Sequence, residues 1–347
     1  MRIATYNVEW FNNLFDDQGH LMDDNRWSGR QDVKRGEQLA ALGIVFTALD
    51  ADAVMIIEAP DQNSRRSTVR ALENFAGVMG LRARRAIIGF ENETQQEIAL
   101  LYDPDALTPR HDPRGDETGK KGSNDAPRFD GVFRWDLDID TAPELIRYSK
   151  PPLELEAVSA AGNRFRMIGV HVKSKAPHGA KGREEIMRVS IQNRRKQLAQ
   201  CIWLRQRVEA HLRQGDPMIV MGDFNDGPGL DGYEKLFGHS GVEIVLGLDG
   251  DHATDEALRM YDPHARAALQ GPLCAKPATA RFMLPGAQQY MSALLDYIMV
   301  SPDLVARAPQ WRIWHPFDDP ACYAIPELRE ALLMASDHFP VTIDLDL

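Results

Sequence analysis

The sequence predicts a layered protein of strands and helices whose strand ends share one cleft, and three features predict it. Short continuous apolar runs, too brief for most helices, recur along the chain; Ala53 to Ile57 (AVMII) and Met218 to Met221 (MIVM) are the clearest. Stretches with apolar residues at helical spacing lie between such runs. Strand–helix–strand units therefore occur in both halves, with Asn7 and Glu58 in the first and His171, Asp223 and Asn225 in the second. Each run closes on a polar residue, at the carboxyl end of a strand, where open α/β sheets place their chemistry. Two similar halves with largely parallel sheets are the simplest architecture on this evidence.

The stretch Met218 to Asp226, MIVMGDFND, organises the rest. A doubly buried strand delivers Asp223 and Asn225, two residues apart, before the breakers Gly227, Pro228 and Gly229. An Asp can hold a hard cation or take a proton from water, and an Asn can donate to one oxygen while accepting elsewhere. A lone GDxN is equally an Asp/Asn turn after a strand. What favours chemistry is the number of other strand ends that carry polar residues.

Composition narrows the class. The 347 residues are 44% apolar, enough for a sizeable core, and are read as one domain over 1–347 with a long loop insertion near 103–128. The three cysteines, Cys201, Cys274 and Cys322, lie far apart and form no CxxC pair, against a disulfide framework or structural zinc. The start, MRIATYNVEW, lacks a secretion signal, and no stretch approaches membrane-spanning length, so a cytoplasmic protein without stable membrane association is expected. A net charge of −11 argues against a general polyanion-binding surface.

In chain order, Met1 to Val8 alternates as a strand, with Ile3, Thr5 and Asn7 on one face. From Arg35, Leu39, Leu42, Phe46 and Leu49 give a helix its apolar face. The AVMII strand then delivers Glu58, and Pro60 is expected to end its pairing. A carboxylate there needs a cation or an ion pair. Val69, Leu72, Ala76 and Met79 mark another helix, and Ala86 to Phe90 and Glu97 to Tyr102 two further strands. Asp103 to Arg128 is polar and reads as a loop, a candidate lid. Arg147 to Val158 and Asn163 to Lys175 form a hairpin that ends near His171. Lys173, Lys175, Lys181 and Arg183, with no acid among them, follow as a cationic loop or a solvated lysine face. Glu184 to Arg213 is a long helix, and Arg194, Arg195 and Lys196 on it extend the cationic loop into a track. Pro228 to Pro285 is the least legible region, with helical fragments expected near Tyr233 to Phe237 and Asp255 to Met260. Asp296 interrupts the apolar strand LLDYIMVS, so a ligand role or a hydrogen bond to an imidazole is expected. Ser336, Asp337 and His338 precede a closing strand with Val341, Ile343 and Leu345 on one face.

The ordered set TYNVEW, IIEAP, GVHVKSK, GDFND, LLDYI and SDHFP resembles the endonuclease/exonuclease/phosphatase superfamily, which includes pancreatic-type DNases, apurinic/apyrimidinic endonucleases, inositol polyphosphate phosphatases and neutral sphingomyelinases. Each motif alone is weak; all of them in order cover nearly the whole chain. The resemblance implies an α+β fold, a four-layer αββα sandwich of two mostly antiparallel sheets, in place of the parallel expectation. It implies a divalent metal, Mg2+ or Mn2+, at Glu58, with Asn7 beside it and Asp337 close by. Asp223 would orient or deprotonate the attacking water, with Asn225 steadying it. His338 would contact the scissile phosphate, with Asp337 fixing its tautomer. Asp296 would support proton transfer or metal binding. His171 would stabilise the oxyanion or protonate the leaving group. Lys150 stands where many members have Arg and, with Lys173 and Lys175, would bind substrate. The function implied is a metal-dependent phosphodiesterase, foremost a nuclease with nucleic acid as substrate. A phosphatase or phosphodiesterase acting on small or lipid phosphoesters is the alternative, and a binding protein that kept the fold is a third.

Overall fold

The computed structural model describes residues 1–135, 143–177, 179–227, 238–248, 255–270, 276–284 and 289–347. The first strand–helix–strand unit is β1 (Arg2–Asn7), α1 (Arg35–Leu49) and β2 (Ala53–Pro60), followed by α2 (Thr68–Met79), β3 (Arg85–Ile88), β4 (Gln96–Tyr102) and β5 (Leu107–His111). A small hairpin, β6 (Phe133–Trp135) and β7 (Glu144–Ile146), precedes the larger one of β8 (Leu153–Ser159) and β9 (Arg164–His171). The helix α3 (Arg183–Gln214) carries the chain to β10 (Met218–Asp223). Then come α4 (Gly241–Leu246), α5 (Pro263–Leu269), the hairpin of β11 (Ala280–Leu284) and β12 (Gln289–Ala293), and β13 (Asp296–Val300). The chain closes with α6 (Pro302–Val305), β14 (Gln310–Ile313), α7 (Pro320–Ala324), α8 (Pro326–Ala335) and β15 (Val341–Asp344).

One sheet has the order β14-β15-β1-β2-β4-β3 and the other β13-β10-β9-β8-β5. Among the described residues each contains a single parallel pair, β1 with β2 and β9 with β10, and is otherwise antiparallel. The parallel expectation therefore holds only for these two pairs, because only they are joined by a crossover helix, α1 or α3. Alternation along β1 shows the layering: Ile3 enters the core between the sheets, beside Met55, Met167, Ile219 and Ile343, while Ala4 and Tyr6 pack under α1, α2 and α8. On the far side Val170, Val220 and Tyr297 pack under α3 to α5, which completes four layers. Gly169 brings the sheets together, since a Cβ there would lie 2.4 Å from the Met55 sulfur.

Several elements differ from expectation. Pro60 does not end pairing; β2 runs through it to Gln96, with a bulge between Ile57 and Ala59 that leaves Glu58 unpaired at φ 64°. Pro60 is tolerated because a bulge has already broken the regular ladder beside it. The expected loop 103–128 contains β5, an edge strand on β8 whose polar outward residues hid it. Asp255 to Met260 yields only a short 3-10 turn, and Tyr233 to Phe237 lies outside the described residues.

The segment after β5 is tied down rather than free. Arg207 of α3 donates to Glu154 (2.6 Å) and to the carbonyl of Ala126 (2.8 Å), and the Arg114 amide also reaches Glu154 (2.9 Å). His211 Nε2 lies 3.1 Å from the other Glu154 oxygen. Burial opposes the charge on Glu154, but His211 and Arg207 outweigh it and hold its pKa below the ordinary value. A carboxylate held down in this way contributes stability above its unfolded pKa, and loses it as pH falls through the folded one. Arg207→Leu leaves that charge buried without its main partner and is expected to cost about 3–5 kcal/mol, measurable by urea unfolding at neutral pH. The acid limb of the melting curve should flatten in the same variant. Wild-type stability in Arg207→Leu would show that water or His211 alone suffices.

Candidate active site

The carboxyl ends of the two parallel pairs meet at one edge of the sandwich. Register aligns three side chains across adjacent strands: Asp223 of β10 is opposite His171 of β9 on one side and Asp296 of β13 on the other. Gly222, just before Asp223, has φ 134°, and a Cβ there would lie 2.1 Å from the Val170 carbonyl oxygen, so the strand can be aimed this way only with glycine. β1 brings Asn7 against this row from the other sheet, its Nδ2 donating to Asp223 Oδ2 at 3.0 Å.

Asp223 is buried and accepts two further hydrogen bonds, from the Asn225 amide N–H (2.7 Å) and Asn225 Nδ2 (3.1 Å). Asn225 sits at φ 49° and also donates to the Val172 carbonyl (3.1 Å), which locks the turn. Burial above all, with Asp296 and Glu58 adding to it and His338 opposing, pushes the Asp223 carboxyl up to about 7.

Asp296 does bind an imidazole: its Oδ2 lies 2.7 Å from His338 Nδ1. The Asp296 amide donates to Thr279 Oγ1 (2.9 Å), which fixes the strand start. Asp337 was expected to set the His338 tautomer but lies on the other nitrogen's side, Oδ1 being 4.0 Å from Nε2. Residues adjacent in sequence point apart in an extended segment, so the partner of His338 had to come from another strand. Burial disfavours the charged imidazole, but Asp296, Asp223 and Asp337 outweigh it and hold His338 well above the ordinary histidine pKa.

Glu58 faces the same cleft from its bulge and accepts a hydrogen bond from Gln96 Nε2. Burial raises its pKa, with Asp337 adding and Lys150 and His338 opposing. His171 Nε2 lies 3.6 Å from Asp223 and 3.9 Å from Glu58, and its Nδ1 is 3.3 Å from Lys150 Nζ. An ammonium can only donate, so Nδ1 accepts and Nε2 carries the proton toward the carboxylates. Burial, with Lys150, His338 and Lys173 adding, keeps that imidazole neutral, its pKa well below the usual value.

The lysines divide. Lys150 is in the cluster. Lys173 is half-buried near Lys196, whose charge adds to burial in lowering its pKa. Lys175 is turned away onto buried Asp226 (2.7 Å), which also binds Arg194 (2.9 Å), and Arg195 pairs with Glu144 (2.7 Å). Three cations of the expected track, Lys175, Arg194 and Arg195, are thereby engaged by Asp226 and Glu144, acids from distant segments that were invisible in a local reading.

Two contributors were missed. Glu9 pairs with Arg30, and burial together with Asp337 and Glu58 pushes it up to about 7 despite that partner. Its position two residues after Asn7, within TYNVEW, repeats the Asp223–Asn225 spacing and was the available signal. Ser336 donates to the Asn7 carbonyl (2.7 Å) and accepts from the amides of Glu9 and His338 (both 3.2 Å), joining first and last motifs.

The acidic group suits a hard divalent cation. Glu58, Asp337 and the Asn7 amide offer oxygen donors, and Asn7 Oδ1 is buried with no hydrogen-bond partner among the described residues. Asp223, Asp296 and His338 also present ligand atoms within 4.8 Å of one another, but there His338 Nδ1 is engaged by Asp296.

The four-layer fold is DNase I-like, a class whose members are phosphoester hydrolases. Within it the chain belongs to the endonuclease/exonuclease/phosphatase family, whose model matches residues 4–338. Among solved structures, truncated TDP2 of Caenorhabditis elegans is similar at 14% identity, covering 99% of this chain and 96% of that one, with a TM-score of 0.50. The human Nocturnin catalytic domain (13% identity, 100% and 94% covered, TM-score 0.49) and an AP endonuclease from Archaeoglobus fulgidus (13%, 100% and 100%, 0.48) are also similar. At these identities the likeness concerns the fold. No curated protein sequence matches the chain significantly. Among the described residues no helix is long and apolar enough to cross a membrane.

Proposed function

We propose that this protein, acting as one domain, hydrolyses nucleic-acid phosphodiester bonds by in-line attack of water on phosphorus. The observation that carries the reading is the row His171, Asp223, Asp296, facing Glu58, with His338 bound to Asp296. A divalent cation held by Glu58, Asp337 and the Asn7 amide would polarise the phosphoryl oxygen and offset its charge. Asp223, with a pKa near neutrality and oriented by Asn7 and Asn225, takes the proton of the attacking water. His338, aligned and kept cationic by Asp296, stabilises negative charge on the phosphoryl oxygens. His171 presents Nε2–H as a neutral donor, with Lys150 fixing its tautomer.

Substrate class follows from charge. Inositol polyphosphates demand a dense basic pocket, and here Lys175 and Arg194 are bound by Asp226. Lys150 and Lys173 suffice for one strand, which suits short or single-stranded substrates better than duplex. A hydrolysis panel tests this: supercoiled and single-stranded DNA, RNA, inositol phosphates and sphingomyelin vesicles, each with Mg2+, Mn2+ or EDTA. Single strands should be cut with either metal and left intact in EDTA. Hydrolysis of an inositol phosphate or of sphingomyelin with both polymers intact would transfer the assignment to a small-substrate or lipid phosphoesterase.

A further inference from the structure

Beside the cleft stands a feature that the chemistry above does not use. The β11–β12 hairpin is pinned to the catalytic segment: the Arg281 amide donates to the Asp337 carbonyl (2.7 Å), the Phe339 amide donates to the Thr279 carbonyl (2.6 Å), and Ala280 bridges His338. From this anchored base the hairpin exposes large side chains. Tyr290 is 56% exposed and Met291 40%, and Phe317, from the segment after β14, is 44% exposed. The Arg281 guanidinium lies over both rings, 3.9 Å from the Tyr290 centroid and 5.3 Å from that of Phe317. It has no acidic partner among the described residues, in a chain whose net charge is −11.

Exposed aromatic rings around an unpaired guanidinium, continuous with a phosphoester-cleaving site, match one ligand chemistry. We infer that this ledge holds the unpaired nucleotides next to the scissile bond of a single strand, with Tyr290 and Phe317 stacking on bases and Arg281 holding a flanking phosphate. The inference rests on the nucleic-acid reading and adds the strand state and the residues that select it. A duplex has its base faces covered by their neighbours in the stack, so only an unpaired strand can lay them on such rings. Every base has a flat face, so the ledge should be tolerant of sequence.

The test compares two oligonucleotides of equal length and phosphate number, one with natural bases and one abasic. Wild-type protein should prefer the base-bearing strand in kcat/KM by roughly 10-fold or more for each stacked base. The double variant Tyr290→Ala/Phe317→Ala should bring that ratio near one, through KM rather than kcat. Tyr290→Leu, which keeps apolar bulk without a flat ring, should lose part of it. Both ring positions are well exposed, and unchanged melting temperatures check that the fold persists. The inference fails if the wild type treats the two strands alike, or if the double variant keeps the full preference. Binding of the wild type to anionic phospholipid vesicles, lost in the double variant, with no preference between strands, would reassign the ledge to a lipid surface. If neither strand is cleaved while inositol phosphates or sphingomyelin are, the nucleic-acid reading itself falls, a result distinct from loss of base preference alone.

Discussion

Glu58→Gln is expected to abolish hydrolysis while the protein stays folded. The substitution preserves shape, and the Gln carbonyl can still accept from Gln96. What it removes is a buried negative charge that Asp337 already opposes. Relief of that repulsion, and of part of the desolvation cost, should leave stability unchanged or slightly raised. Activity depends on the charge, because an amide is a far weaker partner than a carboxylate for a hard cation. Loss of about 10³-fold or more in kcat is expected, the scale of removing a principal electrostatic group from a closed site. Calorimetric titration with Mn2+ should show the binding heat of the wild type vanish in the variant. Full activity of the variant in EDTA would sink the metal assignment.

Asp223→Ala and His338→Ala should each reduce turnover by several orders of magnitude, yet the double variant should be little worse than the worse single. The two groups share one field: the charge of His338 favours ionised Asp223, and Asp223 helps to keep His338 charged. Residues that act as a unit lose their joint contribution when either is removed. Single-turnover rates with one short oligonucleotide, at saturating metal, measure the cycle. Losses that multiply would show that one of the two works outside the chemical step.

The ends of β1, β9 and β10 were legible because each is a short apolar run that stops on a polar residue, and alternation fixes where that residue points. For Asp296 the kind of partner was legible, a ligand or an imidazole, because an acid within an apolar strand has few acceptable environments; which imidazole was not. Whatever depended on the meeting of remote segments was not legible. Glu58 was assigned to a strand end, when a bulge at positive φ presents it from within β2. Lys175 and Arg194 looked like free cations until the fold placed Asp226 against both. The tautomer of His338 was credited to its neighbour in sequence, whereas a residue 42 positions away holds it. β5 was missed because an edge strand with one exposed face needs little apolar sequence.

β1, formed by the first residues of the chain, takes β15 as a neighbour, with Arg2 opposite Asp344 and the amino group of Met1 on the Leu345 carbonyl (2.7 Å). Ser336 meets the Asn7 carbonyl across a sequence separation of 329 residues, so during synthesis this contact waits until everything between the two has been made. Until then the chain carries Asn7, Glu58, His171, Asp223 and Asp296 without His338 and without the strand that pairs with β1. On the proposed reading, the site is completed in one step, when the 336–344 segment docks beside β1. A ribosome-bound intermediate should thus be inert toward any phosphodiester near it, including those of its own message.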